Sequence, residues 1–320
     1  MPHTIDRPIF IVGSARSGTN IFYRLLAGHE HLGWVSSYIR RLPRLPWLAV
    51  LNPLYQMPYL AKRYHDQKRF PNPVEAYNIW DRFHPVRDTL GAPPLTEEDV
   101  SATDVAGLRR FVARVLCASR RARFLNKNVR NSRRLRYLHA LFPDAFFAHI
   151  IRDGRAVANS LLDMEWWPTL SLWWAEGQTP TGLQAGGVDP ALTAARVWQA
   201  DVERVFQDRL YVPPEQYVEI RYERLVRDKA GELRRILDFC DLPWTPRYER
   251  YLQAFELTDR NFKWMDRFTT GQIASIEKAI GSLLEQLGYQ AYNTQKKLVN
   301  VDSQNHLWYN TTNTTRTSVL

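Results

Sequence analysis

Two short stretches of this 320-residue chain have the composition of anion sites. The first, Gly13-Ser14-Ala15-Arg16-Ser17-Gly18-Thr19, follows the apolar run Pro8-Ile9-Phe10-Ile11-Val12 and precedes a segment whose Ile21, Phe22, Leu25 and Leu26 recur at helical spacing. Unpaired amides at a helix N-terminus point at whatever lies in front of them, and the helix dipole adds about half a positive charge there. Glycines let such a loop close around a phosphate. Gly13 and Gly18 have the G-x-x-x-x-G spacing of a nucleotide triphosphatase loop, but Thr19-Asn20 stand where Lys-Ser/Thr is required. The lysine for the β/γ-phosphates and the magnesium-holding hydroxyl are therefore missing, and no Walker B run ending in Asp is evident. Arg16, inside the loop, supplies a cation instead. The loop is expected to bind an anion other than magnesium–ATP.

The second stretch, Ile150-Ile151-Arg152-Asp153-Gly154-Arg155-Ala156-Val157-Ala158-Asn159-Ser160, repeats the logic. A guanidinium stands at the end of an apolar run and at the mouth of a helix, with a hydroxyl about two turns on, and a planar guanidinium makes paired charge-assisted bonds to phosphate. The alternative is an Arg152–Asp153 pair that merely caps the helix. Two anion sites at the carboxyl ends of strands in one sheet point to a cofactor with two phosphate clusters.

The elements that must position these residues alternate. Strands are expected at 8–12, 124–125, 145–151 and 217–220. Helices are expected after Gly18 (closed by Gly28), from about Asp104 and around Leu135–Leu141. Further helices are expected after Gly154, around Leu233–Leu237, and from about Thr270 to Gly288. This order predicts an α/β, P-loop-like three-layer fold, a central parallel sheet flanked by helices. Residues 1–292 are expected to form one domain, in which the irregular, proline-rich stretch of about 33–94 builds an acceptor pocket or lid. The polar Asn/Thr-rich residues 293–320 are expected to be a disordered tail, whose Asn310 and Asn313 sequons mean little without a secretory signal.

Hydrophobic residues at 45% and charged residues at 24% exclude a disordered or collagen-like chain, and two cysteines cannot form a disulfide framework. Cys117 and Cys240 are both expected to be buried thiols, consistent with a reducing compartment. The most apolar stretch, 46–61, is interrupted by Asn52, Pro53 and Pro58, so no membrane helix is expected, and the opening MPHTIDRP offers no signal segment; a cytoplasmic location is expected. The net charge of +10 favours anionic partners, and its excess is concentrated between Arg109 and Arg155.

The loop GSARSGTN, the segment IIRDGRAVANSLL and the C-terminal NFKWMDRF…IEKAIGSLLEQLGY together resemble the sulfotransferase superfamily, over most of the chain from Arg7 to Tyr289. The resemblance implies 3′-phosphoadenosine 5′-phosphosulfate as sulfuryl donor, with no metal. The loop residues Ser14, Ala15, Arg16, Ser17, Gly18, Thr19 and Asn20 would hold its 5′-phosphosulfate, Arg152 and Ser160 its 3′-phosphate, and Tyr222 would lie near the adenine. Lys127, in Leu125-Asn126-Lys127-Asn128, is similar to a lysine of the tyrosylprotein branch that stabilises charge on the transferring group. Sulfuryl transfer through a loose in-line transition state needs chiefly positioning and cationic stabilisation.

That branch carries a glutamate base where this chain reads Trp34-Val35-Ser36-Ser37-Tyr38-Ile39-Arg40-Arg41-Leu42-Pro43, without a carboxylate. The candidates for the base are Glu75 and His84, with His29 and His31 placed behind them because they close the first helix. Glu75 is preferred, because Pro73-Val74-Glu75-Ala76-Tyr77 is read as a helix start facing the pocket; the alternative is a first-turn glutamate serving the helix dipole. Trp166, Trp167, Trp173 and Trp174 are either a stack for an acceptor or a packed wall. The function expected is sulfuryl transfer to a hydroxyl, less readily an amine, on a sugar, lipid, small molecule or peptide. The alternatives are a P-loop kinase or triphosphatase and a basic nucleic-acid-binding module. The latter leaves two cofactor-shaped anion sites unexplained, and no nucleic acid partner is expected.

Overall fold

The structure, a computed structural model, describes residues 5–64, 70–85 and 91–292. Five parallel strands form one sheet in the order β2-β3-β1-β4-β5: β1 Ile9–Val12, β2 Leu32–Gly33, β3 Arg123–Lys127, β4 Phe146–Ile151 and β5 Tyr217–Arg221. In register, Ile11 lies beside Lys127 on one side and Ala148 on the other. The chain is thus α/β, with a parallel sheet covered by helices.

Alternation along β1 divides the core. Ile9 and Ile11 pack with Phe22, Leu25, Leu26, Ile236 and Leu237, whereas Phe10 and Val12 pack with Phe111, Val112, Val115 and Leu138. A strand buried on both faces reads as a continuous apolar run, which is why β1 and β4 were legible in the sequence. A third cluster joins the helix Gly154–Leu161 to Pro190–Asp208 and Thr270–Gln286 around Trp198 and Trp264.

Some features follow the sequence expectations and others depart from them. The helix Pro190–Asp208 and the two-residue β2 are among the elements with no counterpart there; the helix buries Val197, Trp198, Val202 and Val205 beside Ala191, Ala194 and Ala195. Gly28 closes the first helix, Thr19–Ala27, with an ordinary φ of −70°. Glycine is required because a Cβ would lie 1.9 Å from the Tyr251 ring. Cys240 is buried, its thiol pushed up to about 12 by burial. Cys117, expected to be buried, is exposed, because Leu108, Phe111, Val112, Val115 and Leu116 form the inward stripe of its helix, Val105–Ser119.

The irregular stretch is built into the core: Trp34 and Tyr55 join one cluster, Val35, Ile39, Ala49, Ile79 and Trp80 the other. The tail 293–320 and its sequons lie outside the described residues.

Candidate active site

The loop after β1 is closed by contacts that only glycine permits. Gly13 has φ +150°, and a Cβ there would stand 2.6 Å from the Ile150 carbonyl oxygen; Gly18 has φ +91°, and its Cβ would enter the Tyr222 ring at 2.4 Å. Between them Arg16 is held at φ 68°, a conformation rare for a residue with a side chain. Gly13 N–H donates to Ser132 Oγ at 2.9 Å, and Ser17 N–H turns back to Ser14 O at 3.2 Å. The first-turn amides of the helix Thr19–Ala27, at the end of the loop, have no intrahelical acceptor. Ser17 is 1% exposed, and its hydroxyl has no hydrogen-bond partner.

The second anion segment meets this loop directly. Arg152, at the end of β4, donates to the Arg16 carbonyl (3.2 Å), the Arg260 carbonyl (3.1 Å) and Asn261 Oδ1 (3.0 Å), and its guanidinium lies 4.4 Å from the centre of the Tyr222 ring. Arg16 Nε donates to Ser160 Oγ at 3.0 Å. Burial, then the like charge of Arg152, pulls the Arg16 guanidinium below its usual pKa. The alternative Arg152–Asp153 pair is not formed. Asp153 caps the helix Gly154–Leu161 by accepting from Arg155 N–H and pairs with the Arg155 side chain at 2.8 Å. Asn261 in turn donates to Glu223, which also accepts from Asp153 N–H, both at 3.0 Å, and from Tyr289 OH. Burial raises the Glu223 carboxyl to about 7.

Lys127, at the end of β3, is buried rather than a surface lysine: it is 1% exposed. Its Nζ donates to Asn20 Oδ1 at 2.8 Å and pairs with Glu75, which also accepts from Tyr77 OH. Burial pushes the Glu75 carboxyl up, but the Lys127 charge and the hydrogen bonds from Lys127, Tyr77 and Val129 N–H outweigh it, so its pKa lies below the ordinary value. Burial lowers the Lys127 pKa, with Glu75 opposing. Glu75, 20% exposed, is thus a carboxylate at neutral pH beside a buried ammonium.

Glu75 does not start a helix. Ala76 is left-handed (φ 51°), and the helix Tyr77–Trp80 begins beyond it, so a first-turn dipole role is removed as well. What places Glu75 is pairing within the irregular stretch: Val74 N–H donates to Val35 O at 3.2 Å, Ser37 N–H to Asn72 O at 2.9 Å, and Ser36 bridges Pro73. The segment that lacks a carboxylate therefore lies beside the one that carries Glu75. His84 is buried and lies edge-on to Tyr137, ring centres 5.6 Å apart.

Trp166, Trp173 and Trp174 surround a cavity of about 20 Å³ with Ala15, Arg133 and Asp201, while Trp167 is buried in the third core cluster. Room for about one water makes this a packed wall beside the loop. Trp173 Nε1 donates to Asp201 Oδ1 at 3.3 Å, and Asp201 lies 3.6 Å from Arg133. Among the described residues no group of three or more His, Cys, Asp or Glu side chains is placed to hold a metal.

A profile of the sulfotransferase family matches residues 8–246, which take in the loop, Lys127, Arg152, Ser160 and Tyr222. The chain belongs to the sulfotransferase family. Among its curated relatives, the omega-hydroxy-beta-dihydromenaquinone-9 sulfotransferase of Mycobacterium bovis is 27% identical over 91% of this chain and 77% of its own. Protein-tyrosine sulfotransferase A of Caenorhabditis elegans is 24% identical over 53% of this chain and 46% of its own. Solved sulfotransferases share the fold. That of Mycobacterium avium (STF9) aligns at a TM-score of 0.57 and 17% identity, covering 88% of this chain and 77% of that one. STF1 of Mycobacterium tuberculosis aligns at 0.54 and 18%, covering 87% and 78%. In this sulfotransferase, Asn20, already expected in the loop, contacts Lys127, and Glu223 and Asn261, which were not expected, join the site through side-chain contacts. The residues in Tyr222-Glu223 and Asn261-Phe262-Lys263 lie in stretches that the sequence marked, but their roles needed the third dimension.

Proposed function

We propose that this sulfotransferase takes its sulfuryl group from 3′-phosphoadenosine 5′-phosphosulfate and passes it to a hydroxyl. The observation that carries the donor assignment is the Arg16–Arg152 pair. Arg152 is buried and Arg16 is exposed at the loop, Arg152 donates to the Arg16 carbonyl, and among the described residues neither has a carboxylate at ion-pair distance. A buried guanidinium without a counter-ion, with a second cation beside it, is costly, and an anionic ligand relieves that cost. The unpartnered Ser17 hydroxyl and the free first-turn amides supply further donors for such a ligand. Ser14–Asn20 would hold the 5′ end, Arg152 and Ser160 the 3′-phosphate, and Tyr222 would border the nucleoside.

The bound donor supplies an activated sulfuryl group on a phosphate leaving group. Lys127, fixed by Asn20 and Glu75, would offer its Nζ to negative charge growing on the bound donor with little reorganisation. Glu75, ionised and partly exposed, accepts the acceptor's hydroxyl proton at a carboxylate oxygen. The named activity of the Mycobacterium bovis relative, which spans most of this chain, favours a lipid carrier for that hydroxyl over a peptide. The free Cys117 and Cys240 fit a reducing, cytoplasmic setting.

The direct test is to incubate the protein with the donor and a panel of hydroxylated prenyl lipids, tyrosyl peptides and phenols, and to follow release of 3′,5′-diphosphoadenosine. Acceptor-dependent release that Glu75→Gln abolishes supports the reading. Release that Glu75→Gln leaves intact removes Glu75 as the base.

A further inference from the structure

One face of the irregular stretch exposes a run of apolar side chains. A 3-10 helix, Pro46–Leu51, runs directly into a short α-helix, Asn52–Tyr55, and a further helix, Pro58–Tyr64, follows Met57. The inward side of this run is anchored by polar groups. Asn52 Nδ2 donates to Trp34 O at 2.7 Å, and Gln56 Nε2 reaches the carbonyls of Ala27, His29 and Leu32 at 2.8 to 3.1 Å, while Gln56 Oε1 accepts from Arg121. The outward side is apolar: Trp47, Val50, Leu54, Met57 and Tyr59 are 57%, 56%, 37%, 45% and 75% exposed. Recurrence every three or four residues puts Trp47, Val50, Leu54 and Met57 along one ridge. Isolated exposed hydrophobes are ordinary, but a continuous ridge marks an interaction surface.

Its charge surroundings identify the partner. Residues 31–65 contain no Asp or Glu, while Arg40, Arg41, Arg44 and Arg63 are exposed around the ridge. Apolar side chains, indole and phenol rings, and a basic segment with no acids of its own match the interface of an anionic bilayer. No described helix is long and apolar enough to cross a membrane, so contact would be made by lying on the surface. We infer that this ridge seats the protein on an anionic lipid surface, its apolar side chains entering the headgroup region and its arginines holding lipid phosphates. The ridge is rigidly tied to the catalytic side of the molecule. Asn78 Nδ2 donates to the Arg40 carbonyl at 2.8 Å and Arg82 to the Pro43 carbonyl, which links the segment before the ridge to the one that carries Glu75. The inference needs neither the donor nor the acceptor assignment.

The test is flotation of the full chain with phosphatidylcholine vesicles, with and without phosphatidylglycerol. The expected result is binding to the anionic vesicles that weakens as salt rises. Trp47→Ser with Val50→Ser should lower it more than tenfold while the circular dichroism and melting temperature stay unchanged. Arg40→Glu with Arg44→Glu should remove the preference for phosphatidylglycerol. Failure of the wild-type protein to float with anionic vesicles overturns the inference, as does undiminished binding by the Trp47/Val50 variant. A wild-type dimer in solution that this variant converts to monomer would also overturn it, by assigning the ridge to a second copy of the chain.

Discussion

Arg16 Nε donates to Ser160 Oγ at 3.0 Å across 144 residues of chain. This bond joins the loop after β1 to the second turn of the helix after β4, so the two anion segments form one continuous surface. The strand order explains why: β1 and β4 are neighbours, and both deliver their carboxyl ends to the same edge.

Arg152→Ala should weaken binding of 3′,5′-diphosphoadenosine by about 2–3 kcal/mol, the scale of a lost charge-assisted hydrogen-bond pair. Arg152→Lys should not restore it, since an ammonium cannot reproduce the forked contacts to Arg16 O, Arg260 O and Asn261. Titration calorimetry reads both, and unchanged affinity in Arg152→Ala removes the role given to it.

Lys127→Ala should reduce turnover by about 100-fold or more, the scale of removing one preorganised donor at a developing charge. Donor affinity should change far less. Single-turnover kinetics with a separate binding titration divide the two effects, and an equal loss in both would make Lys127 a binding residue.

Gly18→Ala should cost about 1–3 kcal/mol of stability, from the positive φ and the clash with Tyr222. Tyr222→Ala in the same chain relieves the clash but leaves the φ penalty. A thermal melt should therefore show partial recovery relative to the sum of the single changes. Strict additivity would show that the Tyr222 contact carries no energy.

Glu223 gives the stability a pH signature. Its pKa is raised by burial from 4.5 to about 7, so between those values the folded state holds a proton that the unfolded chain has released. Stability from this group is complete below about pH 4.5 and is lost as pH rises through about 7. Glu223→Gln, which keeps the acceptor oxygen for Asn261 and Asp153 N–H, should flatten that decline in denaturant titrations. Glu75 has the opposite sign: its lowered pKa contributes stability above the unfolded value, lost as pH falls through the folded one.

The parts of this architecture visible in the sequence are those with local causes. β1 and β4 are buried on both faces and read as unbroken apolar runs, and the loop between Gly13 and Gly18 announces itself by glycine spacing between a strand and a helix. Lys127 and Glu75 could be named separately, but their pairing depends on β3 lying beside β1 and on the Val35–Val74 hydrogen bond. Neither is a property of a short window. The helix Pro190–Asp208 has a readable stripe in Val197, Trp198, Val202 and Val205 that the sequence expectations did not use, and the ring contact of His84 with Tyr137 joins segments far apart in the chain.

The most direct measurement of the central claim is the thermal stabilisation of the wild-type protein by 3′,5′-diphosphoadenosine, ADP and magnesium–ATP. A ligand that binds only the folded state at a hundredfold excess over Kd adds about 2.7 kcal/mol. The account predicts that the 3′-phosphorylated nucleotide alone raises the melting temperature strongly, because only it engages both Arg16 and Arg152. Equal or greater stabilisation by magnesium–ATP would contradict it.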